Sequence, residues 1–243
     1  MKTLAIFCPE NAHHPCKTFD DIIISDKKLR IIYYKENMPK LQLLLFKMSV
    51  KKLLKDADIL LTDFSKNFSG NKLYKSGHSL AMYHIKAITN IAAKKLPVTV
   101  FSCNIADIYA LSDLIMSHKK IRFLTNDAHI SEFEDTLSGE FGLSGGAACN
   151  ISLSGEVAVI MPGGEIFSPE GAEKIINLSK TNLAWNAVNP ENILYAFPPS
   201  FRGVPNFLRH GDMLETVFSF LEMDFSRTSP NSLKFNKHTT VKN

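Results

Sequence analysis

The sequence predicts an α/β protein: a mostly parallel sheet with helices on both faces, preceded by a smaller N-terminal α/β portion. Between Leu96 and Gly164, apolar strands alternate with amphipathic helices in the order strand, helix, strand, helix, strand. The strands are apolar at nearly every position, which is typical of parallel strands that are covered on both faces. The composition, 45% hydrophobic and 21% charged, is that of a globular chain with ample material for a core.

The N-terminal α/β portion is predicted at residues 1–75. Its strand-like runs are rich in β-branched and aromatic residues, and the second and third of them are close enough to form a hairpin. The fourth run ends in Leu-Thr-Asp, where an Asp either faces a ligand or caps a turn. The runs are Thr3–Cys8, Asp21–Ser25, Leu29–Tyr34 and Ala57–Thr62.

One helix is predicted inside this portion, from Leu41 to Leu54. Pro39 marks its entry, since proline is favoured at the start of a helix. Apolar residues recur at helical spacing, which predicts an amphipathic helix. They are Leu41, Leu44, Leu45, Met48 and Leu53.

The main domain is predicted at 76–225, with a long connecting helix at 76–95 and a disordered tail at 226–243. The tail is polar and has no periodicity, which is typical of a disordered segment. Asn104 and Asp107 predict a capped helix start after the first central strand. The predicted strands are Val98–Phe101, Ile121–Thr125, Val157–Met161 and Ile193–Phe197. The predicted helices are Ile105–Ser117, one from Ile130 that ends at Gly139 or Gly142, Glu170–Leu178 and Asp212–Met223, and 144–148 is predicted as a flexible small-residue segment.

Charge and cysteine content restrict the partners that we expect. A formal charge of +4, from 28 Lys+Arg against 24 Asp+Glu, does not indicate nucleic acid. No stretch is long and apolar enough for a membrane span, and the first residues do not resemble a signal peptide, so we expect no membrane partner and a cytoplasmic protein with reduced thiols. The H-H-x-C run at His13, His14 and Cys16 matches no common zinc spacing, and we expect no metal.

Ligands of parallel α/β sheets bind at the carboxyl ends of the strands, where the strand order reverses. The residues at those ends are therefore our candidate binding site, with catalytic residues unknown. Asp63 is added as a polar residue that follows a strand of the N-terminal portion. The candidate set is Cys103, Asn104, Asp127, Gly163, Gly164 and Asp63.

The stretch Val98–Gly164 resembles the nucleotide-binding half of shikimate dehydrogenase-like and glutamyl-tRNA reductase-like proteins, a Rossmann-like domain. The run FLTND takes the place of the second strand with its N-R-T end, and VAVIMPGG takes the place of the later strand with its N-A-T-P end. The resemblance implies that Asp127 would contact an adenosine ribose, which would favour NAD as cofactor. The turn at 102–107, however, holds no glycine, so side chains would crowd a pyrophosphate.

Three functions remain open at this point. The leading one is a small-molecule or nucleotide-binding, regulatory protein with a degenerate Rossmann-like domain and a homodimer as its expected assembly. The second is an NAD(P)-dependent oxidoreductase, for which Lys66 and Asp63 would have to supply a Lys–Asp pair like that of the shikimate enzymes. The third is a transferase or hydrolase that works from Asp63, Ser65 or Cys103.

Overall fold

The structure is a computed structural model, and it describes residues 1–10, 18–118, 120–126, 130–147, 152–163, 169–181, 183 and 186–236. The chain divides into two compact units. The first consists of Met1–Gly77 and Phe197–Thr228, and the second of His78–Ala196 and Ser229–Asn243. This division differs from the predicted one, which assigned the last helix to the same domain as the central strands.

The described chain combines helices with short strands, and between Val98 and Ala147 the two alternate as the sequence predicts. In chain order they are β1 (Thr3–Pro9), β2 (Phe19–Ile24), β3 (Lys27–Tyr34), α1 (Lys40–Leu54), β4 (Ala57–Leu60), β5 (Lys72–Leu73), α2 (His78–Tyr83), α3 (Ile85–Ala93), β6 (Val98–Phe101), α4 (Ile105–Ala110), α5 (Ser112–Ser117), β7 (Ile121–Thr125), α6 (Ile130–Thr136), β8 (Gly145–Ala147), β9 (Val157–Ile160), β10 (Lys174–Asn177), β11 (Ala187–Val188), β12 (Ile193–Tyr195), α7 (Gly211–Leu221) and β13 (Pro230–Leu233).

The sheet of the first unit has the strand order β2-β3-β1-β4-β5. Its pairs are parallel apart from β2–β3, which form the expected antiparallel hairpin. On the α1 side the core contains a cluster of aromatic rings. Phe7 stacks on Phe68 with ring centres 4.4 Å apart, and Tyr34 stacks on Phe64. The cluster continues to the apolar side chains of Val50 and the neighbouring turns of α1.

Helix α1 presents an unexpected face to this core. Val50 is its buried residue, and Phe46, Leu53 and Leu54 pack partly against the aromatic cluster. In a globular protein the apolar stripe of an amphipathic helix usually faces the core. Here most of the stripe predicted from the sequence faces solvent: Leu41, Leu44, Leu45 and Met48 are between 55 and 69% exposed.

Helix α7 completes the first unit, and nine of its eleven residues are buried. Lys27 ties the helix to the hairpin: its ammonium lies 2.6 Å from the Glu222 carboxylate and donates to the Phe220 carbonyl at 2.9 Å. The Lys75 amide donates to the Thr216 hydroxyl at 2.8 Å. These bonds explain why a helix from late in the sequence belongs to the N-terminal unit.

The sheet of the second unit has the order β11-β10-β9-β6-β7-β8, and all its pairs are parallel. Numbered along the chain within the unit, this is the 3-2-1-4-5-6 order of the doubly wound dinucleotide-binding fold. The strand order therefore reverses between β6 and β9. The prediction of an α/β fold with mostly parallel sheets flanked by helices is confirmed.

A polar network clamps the three central strands of this sheet near their amino ends. The guanidinium of Arg122 bonds both carboxylate oxygens of Glu156 at 2.9 Å and donates to the Thr99 hydroxyl at 2.8 Å. Thr99 in turn donates to Glu156 and is fully buried. The three polar side chains, which come from β6, from β7 and from the residue before β9, thus bond one another. The network therefore stabilises the sheet.

Several predicted helices differ from the observed elements. The connecting helix at 76–95 is broken at His84, whose backbone leaves the helical region (φ −102°, ψ 15°), and the helix Ile105–Ser117 is broken at Leu111. The predicted helix Glu170–Leu178 is wrong: Lys174–Asn177 forms strand β10 between β9 and β11. A short apolar run carries the same pattern in a strand and in a helix, so pairing with β9 decides the outcome.

The predicted disordered tail does not hold for residues 226–236. Pro230–Leu233 forms β13, which pairs antiparallel with β12. Asn236 continues along the edge of β11: its amide donates to the Ala187 carbonyl at 2.9 Å, and its carbonyl accepts from the Asn186 amide. Residues 230–236 therefore provide hydrogen-bond partners for the backbone groups at the edges of β12 and β11. Similarly, part of the predicted flexible segment 144–148 forms β8 beside β7.

Candidate functional site

The candidate site lies at the carboxyl edge of the second sheet, around the reversal of strand order between β6 and β9. The structure places Cys103 and Asn104 directly after β6, and Gly163 shortly after β9. Asp127 and Gly164 lie outside the described residues. The binding role of the residues on this edge therefore stays a prediction.

The turn between β6 and α4 is closed by its own side chains. Asn104 has extended backbone angles, and its side-chain oxygen accepts from the Ala106 amide at 2.9 Å, which is the predicted N-cap. The Ser102 hydroxyl accepts from the Asn104 amide at 3.1 Å and donates to the Asp107 carboxylate. Since Ser102 is fully buried, this small network fixes the path of the turn.

Asp107 carries the electrostatic character of this turn. Burial raises the pKa of its carboxyl above the ordinary value, while the hydrogen bond from Ser102 opposes that shift. A carboxylate in the first turn also interacts favourably with the partial positive charge of a helix start. The first turn of α4 is thus already occupied by a cap and an anion.

Cys103, the next candidate residue, lies in a bend shortly after β6. It packs half-buried against the cluster that includes Phe101, Leu124 and Ile160. The side-chain amide of Asn126 donates to its sulfur at 3.7 Å. A thiol that is packed in this way has less access to a substrate than a catalytic nucleophile needs.

Two oxygens lie at the end of β7, a strand end where the sequence predicts the site, although neither residue belongs to the candidate set. The Thr125 side chain is 1% exposed, and its hydroxyl has no hydrogen-bond partner among the described residues. The Oδ1 atom of Asn126 is buried and equally unpartnered within the described part of the chain. Most buried polar atoms in proteins are bonded, so such a pair is unusual. The signal was a Thr-Asn step directly after an apolar parallel strand.

The backbone after β9 leaves space at this edge. Gly163 has a φ of +89°, a conformation that favours glycine, and a Cβ atom added there would meet nothing within 4 Å. Met161 before it is fully buried, so the chain turns away from the sheet over Pro162 and Gly163. A ligand could approach the backbone at this point.

The carboxyl ends of the next two strands are rigid. Asn177 after β10 donates to the Asn189 side-chain oxygen at 2.7 Å and to the Thr181 carbonyl at 2.6 Å. Its own oxygen accepts from the Ser179 hydroxyl at 2.7 Å. These buried amides and hydroxyls satisfy one another, so they form a structural border to the candidate site.

The candidates of the first unit are arranged differently. Asp63 is 99% exposed and forms a 2.7 Å ion pair with Lys66, which lowers the pKa of the Asp63 carboxyl. Lys66 and Asp63, which the oxidoreductase alternative needs as a Lys–Asp pair, are therefore in contact, but the pair is exposed to solvent. Ser65 is fully buried: its hydroxyl donates to the Thr62 carbonyl and accepts from the Thr62 amide, both at 2.8 Å. This hydroxyl serves the turn and does not face a substrate.

The described ranges contain neither a metal-ligating cluster nor a membrane-spanning helix. No group of three His, Cys, Asp or Glu side chains there is arranged to hold a metal ion. His13, His14 and Cys16 lie outside those ranges. None of the described helices combines the length and the apolar character that crossing a bilayer requires.

Comparison with known proteins gives weak structural similarity and no match in sequence. No protein-family model matches the chain, and no curated protein matches it. Among solved structures, the chain is similar to L-tryptophan dehydrogenase from Nostoc punctiforme, with 13% sequence identity and a TM-score of 0.38 over 93% of this chain and 78% of that one. At this level the similarity says nothing about activity, and the strand order remains the basis for the fold.

Proposed function

We propose that this protein binds a small molecule at the carboxyl edge of its second sheet and acts as a binding or regulatory protein. The single observation that carries the proposal is the pair of buried oxygens on Thr125 and Asn126, which have no partner among the described residues and lie one strand from the reversal of strand order. Leaving a polar group buried without a partner costs about 1–3 kcal/mol. A ligand that bonds these oxygens removes that cost.

The chemistry of the edge defines the class of ligand. The Asn126 oxygen is an acceptor, the Thr125 hydroxyl can accept or donate, and the Asp107 carboxylate is a further acceptor. The ligand therefore offers hydrogen-bond donors, such as the hydroxyl or amino groups of a nucleoside or of a polar metabolite. Burial around Thr125 favours an uncharged molecule over a strongly solvated one.

The same edge disfavours a pyrophosphate. In dinucleotide-binding folds, glycines let the diphosphate approach the helix start, where free amides bind it. Here the Asn104 side chain takes the Ala106 amide, and Asp107 adds negative charge to the first turn. The oxidoreductase alternative needs this position for its cofactor, so the binding function is favoured.

A thermal-shift experiment with defined probes tests the proposal. Adenosine and a panel of hydroxyl- and amine-bearing metabolites are compared with NAD and NADP. We expect stabilisation by members of the first group, since a ligand at a hundred times its Kd adds about 2.7 kcal/mol. A hit should lose about tenfold or more in affinity with Asn126→Ala or Thr125→Val, because each removes one acceptor.

The matched control is Asn90→Ala, which removes an exposed amide from α3. It should leave the affinity of a hit unchanged. Stabilisation by NAD or NADP well beyond that by adenosine would instead support the oxidoreductase. The proposal fails if no probe stabilises the fold, or if a hit binds equally well to both site variants.

A further inference from the structure

Helix α1 exposes a continuous apolar stripe that the fold leaves uncovered. Leu41, Leu44, Leu45 and Met48 follow the i, i+3, i+4, i+7 spacing of one helix face, and each is more than half exposed. Scattered exposed apolar residues are ordinary, but four on adjacent turns form a patch. The opposite face of the helix carries the contacts to the core, through Val50 and Phe46.

The charge on the same helix has a single sign. Residues 40–55 contain five lysines and no acidic residue. Lys51, Lys52 and Lys55 are exposed, and they continue the direction of the apolar stripe into the last turns. The described ion pairs of the protein involve none of these three lysines.

A cavity of about 690 Å³ opens beside these last turns. Lys51, Lys52 and Lys55 line it together with the loop 67–70, and the Phe68 ring forms part of its apolar wall. The Lys47 ammonium lies 5.9 Å from the centre of that ring. The cavity therefore combines several cations with an apolar surface, which suits an amphiphile with an anionic head.

We propose that α1 is a peripheral docking surface for an anionic phospholipid bilayer. The stripe of Leu41, Leu44, Leu45 and Met48 enters the headgroup–acyl boundary, as the apolar face of an interfacial helix does. The lysines bind lipid phosphates and carboxylates, and the cavity receives one headgroup. Such docking requires no membrane-spanning helix, but it departs from the sequence-based expectation of no membrane partner, which considered spans and signal peptides and not a peripheral helix.

The shape and charge of the surface favour a bilayer over other occupants. A second copy of the chain would bring further lysines to this face and no acidic residue of α1 to pair with them. Nucleic acid would satisfy the lysines but would leave four aliphatic side chains against phosphates. A partner helix needs a groove, whereas these leucines project from a convex helix face; a fluid headgroup layer accommodates projecting side chains without a matching shape.

Vesicle sedimentation of the full chain tests the proposal. Vesicles of pure phosphatidylcholine are compared with vesicles that contain about one third phosphatidylserine, at low and at high salt. We expect binding to the second kind alone, and weaker binding as salt rises. Leu44→Trp should shift its emission to shorter wavelength on anionic vesicles, because the stripe enters the interface.

Two sets of variants separate charge from insertion. Neutralising the cavity lysines (Lys51→Gln, Lys52→Gln, Lys55→Gln) should weaken binding about a hundredfold. The same number of exposed lysines in the second unit (Lys86→Gln, Lys95→Gln, Lys120→Gln) serves as the matched control and should change binding less than about threefold.

Replacing part of the stripe, with Leu44→Gln and Leu45→Gln, should weaken binding about tenfold or more. Its control replaces two exposed apolar residues elsewhere, with Ile23→Gln and Met116→Gln, and should have little effect. The proposal is overturned by absence of binding to anionic vesicles at low salt, by equal losses in the control variants, or by binding of an acidic amphipathic peptide with none to vesicles.

Discussion

The carboxyl ends of β4 and β7 carry nearly the same residues but differ in how the polar groups of those residues are hydrogen-bonded. One strand runs into Leu-Leu-Thr-Asp and the other into Phe-Leu-Thr-Asn. In the first unit, Ser65 folds back and bonds the amide, carbonyl and hydroxyl of Thr62. In the second, the Thr125 hydroxyl and the Asn126 oxygen are buried with no partner among the described residues.

This difference in hydrogen bonding indicates which of the two strand ends is the better candidate for binding a ligand. A strand end whose polar groups satisfy one another is a finished turn, whose hydrogen bonds stabilise the fold. A strand end with buried unpartnered acceptors loses free energy in the absence of a ligand, and active and binding sites are where proteins accept such losses. Three substitutions test this contrast, in order of decreasing effect.

Ser65→Ala should destabilise the first unit by about 1–3 kcal/mol, because it leaves buried backbone groups of Thr62 without their partner. Urea unfolding, followed by circular dichroism, measures the change. The exposed Ser49, whose hydroxyl donates within α1, provides the control, and Ser49→Ala should stay within about 0.5 kcal/mol of the wild type. Equal losses of stability at both positions would mean that the hydrogen bonds between Ser65 and Thr62 do not stabilise the first unit.

Thr125→Val should have the opposite sign and raise stability by about 1 kcal/mol, because it replaces an unpartnered buried hydroxyl by a methyl group of similar size. The control is Thr99→Val in the neighbouring strand. Its hydroxyl is bonded to Arg122 and Glu156, so this change should destabilise the protein. Destabilisation by Thr125→Val in the free protein would show that the hydroxyl is satisfied after all.

Asp107→Asn should give the smallest effect, and the effect should depend on pH. Burial raises the pKa of this carboxyl in the folded state, so the stability it contributes is present below its unfolded pKa and is lost as pH rises through the folded value. The gain from Asp107→Asn should therefore be larger at about pH 7 than at about pH 3.5. Urea midpoints at the two pH values measure it, and an equal gain at both would contradict the role of burial.

The central strands could be predicted from sequence because each is a short, mainly apolar run. Val98–Phe101 and Ile121–Thr125 have the predicted limits, and Asn104 caps α4 as expected. The strand Lys174–Asn177 could not be predicted from its own four residues. It forms a strand because it pairs with β9, and that tertiary contact is not visible in the local sequence. The same holds for the C-terminal residues, which are polar and become ordered by completing strand edges.

The site was predictable in place but not in detail. The rule for parallel sheets leads to the carboxyl edge, and Asn104 and Gly163 lie there. The importance of Thr125 and Asn126 depends on which hydrogen bonds their neighbours fail to supply, and a sequence does not show a missing bond. The orientation of α1 was hidden for a related reason: both faces of the helix carry apolar residues, so the pattern does not say which one is buried.

The division of the chain has a consequence for its synthesis on the ribosome. The first unit begins at Met1 but needs Phe197–Thr228 to be complete, and the second unit ends with residues that follow Thr228. Until α7 emerges, the buried face of the first sheet that α7 covers stays open, and Lys27 lacks its partners at Phe220 and Glu222. Neither unit can therefore reach its full set of contacts before the residues near Thr228 have been translated, and until then the first sheet exposes apolar surface that favours aggregation.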